Sequence, residues 1–117
     1  MAFSTDAENE ALDGITADYI SLHSGDPGTT GANLISSVDT AKMAATFNAA
    51  GSSERVLNAD VTFTGGTPSD PVTHFGAWEG NSPGTFKFGN ALTGDQAFNA
   101  AGEYTVKATD TKMTAAG

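Results

Sequence analysis

The chain has 117 residues, no cysteine and a formal net charge of −9 at pH 7. A chain of this length forms a single domain, residues 1–117, with one modest core, and the lack of thiols excludes disulfides, thiolate metal sites and cysteine nucleophiles. With 14 acids against five Lys and Arg, binding to nucleic acid or to an anionic membrane is disfavoured.

The negative charge is concentrated towards the amino-terminal end. Residues 1–41 contain seven acids and no Lys or Arg, whereas residues 42–117 contain seven acids and five bases. We expect either a solvated face or a surface that docks on a basic partner. Because the sequence has neither a long apolar run nor the basic and apolar start of a signal peptide, we expect a soluble chain that is not exported by that route.

A short helix is predicted over residues 5–13. Thr5 and Glu8 have the spacing of a capping box, and Gly14 marks the end. The helix has few apolar residues, so we expect it to lie on the domain or on a partner, with Phe3 anchoring the chain just before it. Residues 1–14 are therefore predicted to be a docking segment in which Phe3 and Leu12 make contacts.

The first strand is predicted over residues 18–23, where apolar and polar side chains alternate. A loop rich in glycine follows, in which Pro27-Gly28 fits the centre of a type II turn and Asp26 is placed to hydrogen-bond the backbone ahead of it. The loop lacks the Gly-Lys-Ser/Thr ending of a phosphate-binding loop. We expect an ordered surface loop, with Asp26 and Pro27 in contact with a partner.

Later alternating runs predict further strands, at residues 42–47, 55–64, 91–98 and 103–109. Between them, the aromatic-rich residues 72–88 flank a Gly-Asn-Ser-Pro-Gly turn, which is typical of a β-hairpin. The pattern predicts an all-β antiparallel sandwich of seven or eight strands with a short N-terminal helix, and residues 111–117 either extend the last strand or form a flexible tail. The predicted core aromatics are Phe63, Phe75, Trp78 and Phe86.

No residue pattern indicates a catalytic, cofactor or metal site. The two histidines, His23 and His74, are far apart and outside any ligand-spaced cluster, and the nucleophile motif Gly-x-Ser-x-Gly is absent. We therefore predict that the chain is not an enzyme and needs no cofactor.

Aromatic residues leave one binding alternative open. Trp78, Tyr19 or Tyr104 on a sheet face would stack on a sugar, which would make the chain a carbohydrate-binding module for host surface glycans. However, the strand around Trp78 carries an aromatic on each face, which favours burial of both faces, one in the core and the other against a second sheet, the helix or a neighbouring subunit.

Two elements of the sequence resemble a known family. These are Leu-His-x-x-Asp-Pro-Gly-x-x-Gly at residues 22–31 and His-Phe-Gly-x-Trp at residues 74–78. The likeness to the family runs along nearly the whole chain, with these elements in the same order. They resemble small β-sandwich virion proteins of tailed bacteriophages. The resemblance implies a non-enzymatic accessory subunit on the particle exterior, either a minor tail or tail-fibre protein or a head-decoration protein. It would be assembled in the host cytoplasm and would contact other virion proteins and copies of itself through sheet edges and terminal segments.

Overall fold

The computed structural model of the chain describes residues 4–81, 84–94, 96–108, 111 and 113–114. These residues contain one helix and eight short strands. In chain order the elements are α1 (Thr5–Asp13), β1 (Tyr19–His23), β2 (Lys42–Ala44), β3 (Glu54–Arg55), β4 (Val61–Phe63), β5 (His74–Glu79), β6 (Thr85–Ala91), β7 (Tyr104–Val106) and β8 (Met113–Thr114).

The strands pair in an antiparallel manner. Four of them form one sheet in the order β2-β1-β5-β6, and the others form two-stranded ribbons, β3 with β8 and β4 with β7. Inward side chains of the sheet and of both ribbons contribute to one hydrophobic core. The predicted all-β antiparallel class with a short N-terminal helix is confirmed.

The core lies on one face of the four-stranded sheet. Ile20 and Leu22 of β1 alternate inward, and they pair with Ala77 and Phe75 of β5; all four are 0 % exposed. Phe63 of β4, at 1 % exposure, belongs to the same cluster. Two of the four predicted core aromatics, Phe63 and Phe75, therefore lie at the centre of the domain.

The helix begins at Thr5, but its cap differs from the prediction. The side chain of Ser4 accepts a hydrogen bond from the Ala7 amide at 3.2 Å, which makes Ser4 the N-cap. Thr5 is already helical, so the predicted capping box of Thr5 and Glu8 is wrong. Gly14 follows the last helical residue, as predicted, with an ordinary φ of −76°.

The helix is attached to its own domain. Leu12 is 2 % exposed and belongs to the core, and Asn9 Oδ1 accepts from the Ser53 amide at 2.9 Å. Arg55 Nη1 donates to the carbonyls of Leu12 and Ile15 at the carboxyl end of the helix. The Leu12 side chain therefore offers no surface to a partner, and Phe3 lies outside the described residues.

The predicted hairpin is present, and it contains a bulge. β5 pairs with β6, and the register shifts between Ala77 and Trp78, which pair with Phe88 and Phe86 respectively. Lys87 is thus the extra residue of β6. As a result Phe88 lies against Phe75 in the core, while Phe86 lies against Trp78 on the opposite face.

Several predicted strands are shorter in the structure. The run 55–64 is not one strand: it contains the last residue of β3 and the whole of β4, and between them residues 58–60 leave the strand conformation, with Asp60 Oδ1 accepting from the Ala108 amide. In the run 91–98, Ala91 ends β6, and the described residues after it add one isolated bridge, Ala97 to Pro71. In the predicted tail, Met113 is 0 % exposed in β8 and pairs with β3, whereas residues 115–117 lie outside the described part of the chain.

No helix among the described residues has both the length and the apolar character needed to cross a bilayer. The same residues contain no group of three or more His, Cys, Asp or Glu side chains placed to hold a metal ion.

Candidate docking surface

The face of the sheet opposite the core is also covered. Ser21 and His23 of β1 point to this face, together with Trp78 of β5 and Phe86 of β6. The segment that covers them is the loop of residues 24–34, which we call the 24–34 loop. Both faces of β5 are covered, as predicted, but the cover of the second face is the 24–34 loop and not a second sheet, the helix or a neighbouring subunit.

A chain of buried hydrogen bonds joins the loop to the sheet. Trp78 Nε1 donates to Ser21 Oγ at 2.7 Å, Ser21 Oγ lies 2.7 Å from His23 Nε2, and His23 Nδ1 lies 2.7 Å from the Ala32 carbonyl. Because a carbonyl oxygen only accepts, Nδ1 carries the proton, and the Nε2 of neutral His23 accepts from the Ser21 hydroxyl. Every polar atom in this series of hydrogen bonds has a partner when His23 is neutral.

The environment of His23 favours that neutral form. Burial lowers the pKa of His23 below its ordinary value of 6.5. The hydrogen bond to the Ala32 carbonyl opposes this effect in part, and the neighbouring His74 adds a smaller lowering of the pKa. A protonated His23 would donate from Nε2 and leave the Ser21 hydroxyl proton without its acceptor.

Glycines let the loop approach the sheet closely. Gly31 has φ of +80°, and a Cβ at this position would lie 2.6 Å from the Trp78 ring. Pro27 is buried and packs against Gly89 of β6, where a side chain would overlap it. The two elements of the family resemblance, residues 22–31 and 74–78, therefore contact each other in the structure.

Internal hydrogen bonds fix the shape of the loop. The Asp26 carboxylate accepts from the Gly28 amide at 2.9 Å, as predicted for this turn, and Gly28 has the positive φ of 61° that the third residue of a type II turn requires. Asn33 Nδ2 donates to the Asp26 carbonyl at 3.0 Å. The loop is thus held both to itself and to the sheet beneath it.

The outer side of the loop presents polar groups and one apolar group. Asp26, Thr29 and Thr30 lie on this side, and both threonines are exposed. Leu34, at 36 %, is the exposed large hydrophobic residue among those the structure describes, and it lines a cleft of about 400 Å³. Of the two loop residues predicted to contact a partner, Asp26 is exposed to solvent, whereas Pro27 is buried against the sheet and shapes the loop.

The aromatic side chains predicted as sugar platforms are mostly enclosed. Trp78 is 8 % exposed and Tyr104 3 %. The Trp78 ring has Lys42 Nζ at 3.8 Å from its centroid and Phe86 against its edge. Neither residue offers an open ring to a ligand, and only Tyr19 stays partly exposed.

The pairing of Ser21 with His23 was missed from the sequence. Their spacing of two residues in a strand places both on one face, which was the available signal. The pair has the bonding pattern of a serine activated by histidine. However, both residues are 0 % exposed, so the serine oxygen is closed to a substrate and the pair holds the loop in place.

A scan against protein-family models matches residues 4–114 to the family described as Podophage GP4 fiber I protein gp80. The chain belongs to this family. The match covers both elements of the predicted resemblance and confirms the likeness to small tailed-phage virion proteins, here with a fibre description. Searches of curated proteins and of solved structures found no match.

Proposed function

We propose that this chain is a non-enzymatic subunit on the exterior of a tailed-phage particle, built into a tail fibre, where it acts through contacts with neighbouring virion proteins and copies of itself. The observation that carries the proposal is the family match over residues 4–114. Membership makes the chain a structural component of a phage virion, and the fibre description favours the tail over the head.

The 24–34 loop is the surface that we propose for docking. Binding residues are commonly placed on loops that a rigid scaffold positions, and this loop is fixed by the hydrogen bond of His23 to Ala32 and by the contact of Gly31 with Trp78. It presents the Asp26 carboxylate and the apolar Leu34 on its outer side. Little ordering would be needed on binding, which favours affinity.

The charge of the chain indicates the chemistry of the partner. Residues 1–41, which include both the 24–34 loop and the helix, contain seven acids and no Lys or Arg. Asp6 and Glu10 are exposed on α1, so the N-terminal segment is a second proposed contact region. A basic surface on the neighbouring virion protein would complement both regions and speed association.

The proposal of a non-enzymatic role has structural support. The pair of Ser21 and His23 is enclosed, and among the described residues no carboxylates and histidines cluster as metal ligands. A virion subunit that binds neighbours requires neither.

Location in the particle is the first test. Antibody labelling of intact particles in the electron microscope, with mass spectrometry of separated heads and tails, should place the chain on tail fibres. Label on the head surface would replace the fibre role with head decoration. Absence of the chain from purified particles would overturn the virion role.

Docking through the loop is tested by exchange of groups on its outer side. The double variant Asp26→Asn and Leu34→Ser removes one charge and one apolar side chain, and the amide oxygen introduced at position 26 would still accept from the Gly28 amide. We expect incorporation into particles to fall by about tenfold or more, while the matched control Glu103→Gln with Ala100→Ser incorporates normally. Equal incorporation of the two variants would remove the loop from the docking surface.

A further inference from the structure

A buried histidine lies beneath the 24–34 loop and joins it to the sheet. The His23 side chain is 0 % exposed, and its two ring nitrogens contact different parts of the fold. Nδ1 donates to the Ala32 carbonyl of the loop at 2.7 Å, and Nε2 accepts from the Ser21 hydroxyl of β1 at 2.7 Å. The attachment of the loop therefore runs through a ring that titrates near neutral pH in its unperturbed form.

The 24–34 loop is separate from the hydrophobic core. None of its residues belongs to the core cluster. Its ends are tied to each other, because the Ser24 amide donates to the Asn33 carbonyl at 3.1 Å. Within it, the Gly31 amide donates to the Pro27 carbonyl at 3.0 Å. The loop can therefore move as a unit while the core stays packed, and such a local opening requires less free energy than global unfolding.

The loop covers two aromatic rings of the sheet. Trp78 is 8 % exposed, and the ring of Phe86 stands against its edge with the centroids 5.1 Å apart. Gly31 approaches both, since a Cβ at this position would lie 2.6 Å from the Trp78 ring and 3.1 Å from the Phe86 ring. Movement of the loop away from the sheet would expose both rings to water.

The strands around His23 place no negative charge beside it. On β5, His74 pairs directly with His23 in the register of the two strands, and its charge opposes protonation of His23. On the same sheet face, β2 contributes the ammonium group of Lys42 and β1 the phenol of Tyr19. From β6, the neutral ring of Phe86 lies with its centroid 6.4 Å from that of His23.

The loop supplies no counter-ion either. Its one ionisable residue is Asp26, which is exposed to solvent and whose carboxylate accepts from a loop amide. Among the residues that the structure describes, no carboxylate is bonded to the His23 ring. An imidazolium beneath the closed loop would therefore be a buried charge without a partner, which is strongly destabilising.

We propose that the 24–34 loop is a lid that opens in acid, released from the sheet when His23 takes up a proton, and that its opening uncovers Trp78 and Phe86. Opening lets water solvate the imidazolium and accept the proton of the Ser21 hydroxyl, which loses its acceptor in the closed form. The proton thus binds the open form more tightly and shifts the population towards it. This inference concerns the isolated chain and does not rest on the proposed fibre role.

An acid titration of the whole chain tests the lid. As the pH is lowered from neutrality through the ordinary histidine pKa of about 6.5, we expect a red shift of Trp78 emission and stronger quenching by acrylamide. Far-UV circular dichroism and the NMR signals of Phe75 and Ala77 in the core should stay native in the same range. Loss of the core signals at the same midpoint would overturn the proposal in favour of global unfolding. Unchanged Trp78 emission down to the pH of global unfolding would overturn it as well.

NMR of the His23 ring assigns the responsible proton. The midpoint of the ring titration should coincide with the midpoints for the Gly31 and Ala32 amides and for the Trp78 indole. If the amides and the indole moved at a different pH from the His23 ring, another group would control the loop and the proposal would be wrong.

Three variants complete the test. His74→Gln removes the charge that opposes protonation of His23, so its opening midpoint should move to higher pH. Glu103→Gln, the matched control, removes a charge outside the loop and its contacts and should leave the midpoint unchanged. In His23→Asn, an uncharged amide replaces the ring and its Nδ2 can donate to the Ala32 carbonyl, so the loop should stay closed in acid.

Acid opening of His23→Asn at the midpoint of the parent chain would overturn the proposal. Should His23→Asn fail to fold, His74→Gln decides, because it keeps His23, and a midpoint that is unchanged or lower would contradict the lid. All of these measurements use the isolated chain, so their failure leaves the fibre role standing. Absence of the chain from particles would leave the lid intact.

Discussion

The two faces of the four-stranded sheet are both buried, but different interactions hold them. The core face is packed by apolar side chains such as Leu22 and Phe75, with no directional bond between them. The opposite face is held to the 24–34 loop by the hydrogen bonds of Ser21, His23 and Trp78 and by close contacts at glycine. The stability of the core face should depend mainly on the volume of its side chains. The stability of the opposite face should depend on hydrogen-bond geometry, close contacts and the protonation of His23.

Removal of a core aromatic should have the largest effect. Phe75→Ala empties a fully buried position and should cost about 3–5 kcal/mol in the free energy of unfolding. Denaturant unfolding followed by circular dichroism measures this loss. A cost below about 1 kcal/mol would show that the core face is not the main source of stability.

A methyl group added at Gly31 should damage the opposite face. Gly31→Ala forces a side chain into φ of +80° and against Trp78, and we expect a cost of about 2–4 kcal/mol with a red shift of the fluorescence of Trp78, the only tryptophan. Gly28→Ala is the matched control, because Gly28 also has positive φ but has open space around its Cβ position. It should cost only about 1 kcal/mol without a spectral shift. Equal effects at the two positions would show that backbone strain, and not contact with Trp78, decides the outcome.

Removal of one hydroxyl should test the directional bonds. Ser21→Ala leaves Trp78 Nε1 without its acceptor and His23 Nε2 without its donor, at a cost of about 1–3 kcal/mol. Ser24→Ala, at an exposed position at the start of the loop, should be within about 0.5 kcal/mol of the parent chain. Unfolding curves that coincide for the two variants would contradict a role of the Ser21 hydroxyl in holding the loop.

The sequence was most informative about the core face. Alternation over residues 18–23 and 72–88 predicted β1 and the hairpin, because a period of two is a local property. The bulge at Lys87 was not foreseen, although it sends Phe86 and Phe88 to opposite faces. Such a shift depends on pairing with β5, which a single strand does not encode.

The candidate sites were less accessible from the sequence. Asp26 and its turn were predicted because an Asp-Pro-Gly sequence fixes its own backbone. The network of Ser21, His23 and Trp78 joins residues 57 positions apart. It needs the register of β1 with β5, so it could not be derived before the fold was known.

Protonation of His23 should give the smallest change in the free energy of unfolding. It affects only the sheet face that the 24–34 loop covers. Since burial lowers the pKa of His23 in the folded state, the unfolded chain binds the proton more readily, and stability rises with pH in this range. The contribution is fully present above the unfolded pKa of about 6.5 and is lost as the pH falls from there towards the lowered folded pKa. As the pH is lowered across this window, the free energy of unfolding should fall in the parent chain and in His74→Gln. In His23→Leu this pH-dependent fall should be absent. A step of the same size in His23→Leu would assign the pH dependence to another group and leave the core-like packing of Trp78 and Phe86 as the main hold on the loop.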